Sequence, residues 1–235
     1  MTITHSSHRP ALSRHPYPHP TGGRTSLYLV RHGRTRANVD QVLCGHTDLP
    51  LDDHGREQAA LVAARIADAV EADALLTSPL RRAFSTAEAI SALTGLTPQI
   101  VPDLIEMNFG IYEGAHFETI LEADPELAAR FLDLDDGEVG WPEGDTRVGF
   151  HRRVVDAFST ILSGNHDRSV IVVAHGGVFG SYLAQIHGSS PNDWRGFQIK
   201  NCSITHLEVS IEHTAVHLIN DVEHLASIAD DETME

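Results

Sequence analysis

Ser169-Val170-Ile171-Val172-Val173-Ala174-His175-Gly176-Gly177 decides how this chain is read. From Val170 to Ala174 it is unbroken apolar and mostly β-branched. That is the pattern of a strand covered on both faces rather than on one. It then ends abruptly in a histidine and two glycines. An earlier stretch has the same form: Leu27-Tyr28-Leu29-Val30 is a short apolar run, followed by Arg31-His32-Gly33. In an open α/β sheet, ligands bind at the carboxyl ends of the strands. Both histidines therefore stand where a site is expected, and they lie side by side if their strands are neighbours. A glycine after each lets the backbone come close to a ligand. Gly176-Gly177 also open a helix, whose free amides favour an anion.

Outward from these strands the pattern alternates. A helix is predicted from near Asp53, with Ala59, Val62, Ala63, Ile66 and Val70 on one face. Asp73 to Thr77 reads as a strand. Ser78 is then a natural helix N-cap, Pro79 suits the first helical position and Gly95 ends the helix. Another helix is predicted over 116–132. A longer one runs from about Asp145 to Leu162, with Val148, Val155, Phe158 and Leu162 inward and Gly164 after it. A helix from about Val178 to His187 stops at Gly188, and two final strands fall near 203–209 and 214–220. No internal repeat is visible. This order implies an α/β fold, a three-layer α/β/α sandwich with a mostly parallel central sheet. One domain spans 26–225. Residues 1–25 carry four histidines, four prolines, three arginines and no acid, and read as a disordered arm. Residues 226–235 read as an acidic tail.

The whole chain has 235 residues and a formal net charge of −16, which argues against nonspecific binding to nucleic acid or to an anionic membrane. No apolar run is long enough to span a membrane. Cys44 and Cys202 have no zinc spacing and read as reduced thiols, which favours a cytoplasmic location. Homo-oligomerisation is compatible with the sequence. In so acidic a chain, local positive charge is conspicuous. Arg31 adjoins the first histidine, and Arg82 lies in the first turn of the helix after the second strand, again at a carboxyl end. Guanidinium groups suit bidentate contact with phosphate oxygens.

These stretches carry a resemblance. Arg31-His32-Gly33-Arg34-Thr35-Arg36-Ala37-Asn38 resembles the RHGxTxxN signature of the histidine phosphatase superfamily, the phosphoglycerate mutase-like proteins. In the family's order there follow Gly45-His46-Thr47-Asp48-Leu49-Pro50-Leu51, like its substrate loop, and Asp53 through Ala59, like the opening of its first helix. Thr77-Ser78-Pro79-Leu80-Arg81-Arg82-Ala83 with Thr86-Ala87 resembles its SxLxRAxxTA element. Leu104-Ile105-Glu106 with Phe109-Gly110 and Glu113-Gly114 resembles its LxExxFGxxEG element. Gly144-Asp145-Thr146 is like its GES segment, and Ala174-His175-Gly176-Gly177 like its second histidine motif. The ordered set spans roughly residues 27–180.

The resemblance implies a catalytic domain with His32 as nucleophile and Glu106 as proton donor. Arg31, Arg82 and His175 would hold the transferred phosphoryl group, with Asn38, Gly45, His46, Thr47 and Gly176 around the substrate. It implies no metal and no cofactor, so turnover should withstand chelation. The substrate would be a small phosphorylated molecule, hydrolysed through a phosphohistidine. The alternatives are a 2,3-bisphosphoglycerate-dependent phosphoglycerate mutase and a noncatalytic phosphate-binding module. The short interval from Glu106 to His175 and the acidic tail favour the phosphatase. Arg34, where the family usually has glutamate or glutamine, is read either as a cation at the rim or as a solvent-facing side chain. His46, Phe109, Tyr112, Phe117, Trp141 and Phe179 are read as pocket lining or as core.

Overall fold

A computed structural model describes residues 22–133, 136–188, 190, 193 and 196–228. Most of the expected arm and tail lies outside the described residues. Within them, Thr25 already belongs to the first strand and Ile228 packs on the core. The strands are β1 (Thr25–Arg31), β2 (Ala74–Thr77), β3 (Pro98–Ile100), β4 (Arg168–Ala174), β5 (Ile204–Val209) and β6 (Thr214–Asp221). The helices are α1 (Arg36–Val39), α2 (Asp53–Ala69), α3 (Arg81–Thr94), α4 (Phe117–Ala123), α5 (Pro125–Leu132), α6 (Arg147–Ser163) and α7 (Gly176–Ile186).

The strands form one sheet in the order β3-β2-β4-β1-β5-β6. β3, β2, β4 and β1 run parallel; β5 runs antiparallel to both β1 and β6. Two apolar layers explain why β1 and β4 do not alternate. Leu27, Leu29, Val170 and Val172 pack against α6 and α7, through Phe150, Val154, Phe158, Phe179 and Leu183. Tyr28, Val30, Ile171 and Val173 pack on the other face against α2 and α3, through Val62, Ile66, Ala83 and Ile90. Sequence and structure therefore agree on the three-layer α/β/α architecture with a mostly parallel sheet.

Three local expectations need correction. Ser78 does not cap α3, which starts at Arg81 after Leu80 with no side-chain cap; its hydroxyl is engaged elsewhere, as described below. The helix over 116–132 is two helices. Pro125 lacks the amide needed to continue α4, and Asp124 caps α5 by accepting from the Leu127 amide at 3.0 Å. The buried face of α6 is also rotated from the expected one. Of Val148, Val155, Phe158 and Leu162 only Phe158 is fully buried, and the inward stripe includes Arg147, Phe150, His151, Val154 and Ile161. Hydropathy missed it because the stripe contains polar groups with partners: His151 Nδ1 meets Ser181 Oγ on α7 at 2.8 Å.

The start of α2 is fastened to the end of β1. Asp52 caps the helix, accepting from the Gly55 amide at 2.6 Å, and its other oxygen accepts from Arg34 Nε at 2.9 Å. Gly55 lies so close to the β1 loop that a Cβ there would collide with the Arg34 carbonyl oxygen. Asp52→Ala is expected to lower stability by about 1–2 kcal/mol. Gly55→Ala should lower it further, because the clash is with backbone. Urea unfolding of the two variants checks the order.

Candidate active site

In the parallel pairing of β1 and β4, Arg31 stands opposite Ala174. The next residue of each strand is a histidine, and the two imidazole centroids are 5.1 Å apart. The side-by-side arrangement expected from sequence is present. Both rings are buried.

The hydrogen bonds fix the tautomers. His32 Nδ1 lies 2.8 Å from the Gly33 carbonyl, which can only accept, so Nδ1 carries the proton. Nε2 is then an unprotonated nitrogen with a free lone pair. At His175, Nδ1 accepts from Arg82 Nε at 3.3 Å, and Nε2 donates to Ser78 Oγ at 2.7 Å. Burial, then the charges of Arg82 and Arg31, hold the His32 pKa well below the usual histidine range, against the opposing effect of the Gly33 bond. Burial and the cations Arg82 and Arg31 do the same at His175, together with His32 and Arg153. Both shifts favour the neutral ring in the free protein.

The two cations differ in how they are held. Arg82, 1% exposed, donates to the carbonyls of Thr47 (2.9 Å), Gly45 (2.8 Å) and Cys44 (3.3 Å). Arg31 donates through Nη1 to the Ile199 carbonyl, while its buried Nε has no partner. Neither guanidinium bonds a carboxylate among the described residues. Glu106 reaches the same cleft. One of its carboxyl oxygens accepts from the Met107 amide (2.9 Å) and the other from the Gly177 amide (3.0 Å). The first α7 amide after Gly176 thus serves Glu106 rather than standing free as expected. A cleft of about 150 Å³ is lined by Arg31, His32, Asn38, Arg82 and Glu106, with Val42, Leu43 and Phe109 among its apolar walls.

The remaining predicted residues divide. Asn38 lines the cleft, but its Oδ1 accepts from the Thr35 amide at 3.0 Å and the Thr35 hydroxyl at 3.1 Å, as the return arm of a capping box for α1. Its amide donors are what remains for a ligand. The amides of Gly45, His46 and Thr47 turn away from the cleft: all three donate to Glu113, as does the Thr47 hydroxyl at 2.6 Å. Burial tends to raise the Glu113 pKa, but these donors and the Phe109 amide outweigh it and hold the group below its ordinary value. His46 Nε2 donates to the Glu106 carbonyl at 3.0 Å. Gly176 lies beside Arg31, and a Cβ there would stand in ordinary contact with the guanidinium. Arg34, half-buried, pairs with Asp52 and does not line the cleft. Of the aromatic candidates only Phe109 lines the cleft. Trp141 and Phe179 are core, Tyr112 and Phe117 pack on that core, and His46 is exposed.

Residues that sequence reasoning missed are those acting across long separations. Ser78 has the sequence context of a helix cap, and Glu113 stands in a motif that names no role for it. Asn201, whose Nδ2 donates to the His32 carbonyl at 2.9 Å, carried no signal.

Residues 27–222 match the histidine phosphatase superfamily (branch 1). The chain belongs to that superfamily. A protein of Cronobacter sakazakii named a probable phosphoglycerate mutase is 30% identical to this histidine phosphatase family member, over 88% of this chain and 97% of its own. An adenosylcobalamin/alpha-ribazole phosphatase of Escherichia coli K12 is 28% identical over 83% of this chain and 95% of its own. The crystal structure of a phosphoserine phosphatase mutant from Entamoeba histolytica, in complex with phosphoserine, superposes with a TM-score of 0.77. It is 27% identical and covers 86% of this chain and 99% of its own. No described helix is long and apolar enough to cross a membrane.

The depressed histidine pKa values have a sign that can be tested. The ring signals of His32 and His175 should remain those of neutral imidazole at pH 6 in NMR, below the ordinary histidine pKa of about 6.5. The unfolded chain binds those protons first. Stability should therefore fall as pH drops below about 6.5, in step with the depressed folded values.

Proposed function

We propose that this protein is a phosphatase that hydrolyses a small phosphorylated metabolite in the cytoplasm, through a phosphohistidine on His32. The observation that carries the reading is the state of His32: neutral, with Nδ1 held by Gly33 and Nε2 unprotonated, in a cleft that also holds Arg31, Arg82 and Glu106. Nε2 attacks phosphorus in line with the ester oxygen. The N–P bond forms as the P–O bond breaks, and Glu106 gives its proton to the departing oxygen. Phosphoryl transfer depends mainly on positioning and on stabilising the equatorial oxygens. The unpartnered Arg31 Nε and the guanidinium of Arg82 suit that task, and neutral His175 presents no charge that Arg82 must overcome. Water then attacks the phosphohistidine, and Glu106 takes its proton. No step calls for a metal or a cofactor.

The names of the Escherichia coli and Entamoeba histolytica relatives, both phosphatases, support hydrolysis. A second reading, transfer between hydroxyls of a phosphorylated sugar acid, is favoured by the name of the Cronobacter sakazakii relative. A phosphate-ester panel separates them: release of inorganic phosphate is the expected result, and interconversion of 3-phosphoglycerate only when 2,3-bisphosphoglycerate is added would favour the mutase.

His32→Ala should lose turnover entirely while still binding inorganic phosphate. Enzyme quenched during turnover of a ³²P-labelled ester should carry an acid-labile label, absent from the variant. Activity should withstand EDTA. Substantial turnover by His32→Ala would refute the nucleophile.

A further inference from the structure

Glu106 lies in a segment with no regular secondary structure, between a short 3-10 turn at Pro102–Leu104 and another at Gly110–Tyr112. A proton donor there needs its backbone held, because a displacement of about 1 Å at a reacting group is costly. One side chain outside the cleft does most of this. Arg153, on α6, donates through Nη1 to the carbonyls of Asp103 (3.0 Å) and Ile105 (2.6 Å), and through Nη2 to that of Glu106 itself (3.2 Å). The same Nη2 donates to Asp145 Oδ2 at 3.0 Å. That carboxylate oxygen also accepts from the Asn108 amide at 2.9 Å, and the Asp145 amide returns a bond to the Asn108 carbonyl at 2.9 Å. One guanidinium thus fixes the chain just before Glu106 directly and just after it through Asp145. The Phe150 ring lies beneath it, 5.0 Å from Cζ to centroid. On the far side Gly177 leaves the carboxylate its room, since a Cβ there would run into Oε1.

We propose that Arg153, with Asp145, is a positioning residue for the acid Glu106, setting the direction in which its carboxyl group meets the leaving oxygen. This rests on the reading of Glu106 as proton donor given above. A planar guanidinium can reach several carbonyls at once, whereas a lysine ammonium on this stem meets at most part of the set. The role should therefore depend on shape as well as charge.

The discriminating measurement is leaving-group dependence. p-Nitrophenyl phosphate expels an anion that needs little help from an acid; an alkyl phosphate expels one that does. With phosphoserine, or whichever alkyl phosphate the panel shows to turn over fastest, Arg153→Ala and Arg153→Lys should each lower kcat/KM, which reports transfer to His32 and not the hydrolysis step common to all esters, by about tenfold or more. On p-nitrophenyl phosphate kcat/KM should change little. Inorganic phosphate binding should also be retained. Should Arg153→Ala fail to fold, Arg153→Lys, which keeps the charge beside Asp145, carries the test alone. Equal losses on both esters, or none, would overturn the proposal. Glu106→Gln is the control for the underlying reading and should show the same bias more strongly. A Glu106→Gln enzyme with no bias would overturn the acid assignment and this inference with it. Bias in Glu106→Gln but not at Arg153 would overturn this inference alone.

Discussion

The register of β1 against β4 is the constraint on which the site depends. Arg31 opposite Ala174 brings His32 and His175 to the same level at the carboxyl edge, in contact as rings. A slip of one residue would turn each side chain of β1 to the opposite face and exchange its two apolar sets. The double burial of Leu27 to Val30 and of Val170 to Val173 excludes that slip, because each set meets its own pair of helices. The end of β1 is also braced from the other side. The Cys202 amide donates to the Arg31 carbonyl at 2.9 Å, with Cys202 itself in the left-handed region at φ 51°. A non-glycine residue is uncommon there, and here it aims an amide at the strand end that carries the histidine.

Two buried guanidinium groups in a chain of net charge −16 would ordinarily be expected to pair with carboxylates. Arg82 instead bonds three backbone carbonyls and an imidazole nitrogen, and Arg31 bonds one carbonyl. Carbonyl dipoles compensate desolvation without cancelling the charge. The positive potential is retained for an arriving anion. The same potential, added to burial, keeps His32 and His175 neutral. One arrangement thus gives both a cationic cleft and imidazoles biased to the neutral form.

What could be read from sequence was local and periodic. The β4 run, the α2 stripe and the glycine after α3, at φ 73°, each carry their own signal. The histidines, the two arginines and the acid were legible because they sit at strand ends or in an ordered set of motifs. What escaped depends on partners far along the chain. Ser78 has the composition of a cap, and only the packing of β2 beside β4 turns it to His175, 97 residues away. The polar members of the α6 stripe look outward on any hydropathy scale until α7 supplies partners for His151 and the carbonyls of Phe131, Asp133 and Asp136 accept from Arg147. Arg153 resembles any helix-surface arginine until the chain around Glu106 is laid against it.

The loop after α1 makes the point most sharply. Consecutive glycine and polar residues suggest amides presented to an anion. Here those amides converge on Glu113, and two of the same peptide units turn the carbonyls of Cys44 and Gly45 toward Arg82, where the Thr47 carbonyl joins them. The peptide dipoles run from cation to carboxylate, so each charge stabilises the orientation that the other requires. In the free protein the loop therefore acts as solvation for Arg82 and fixes where that guanidinium points. The direction of Arg82 in the cleft then depends on Glu113, a residue whose carboxylate faces the opposite side of the loop.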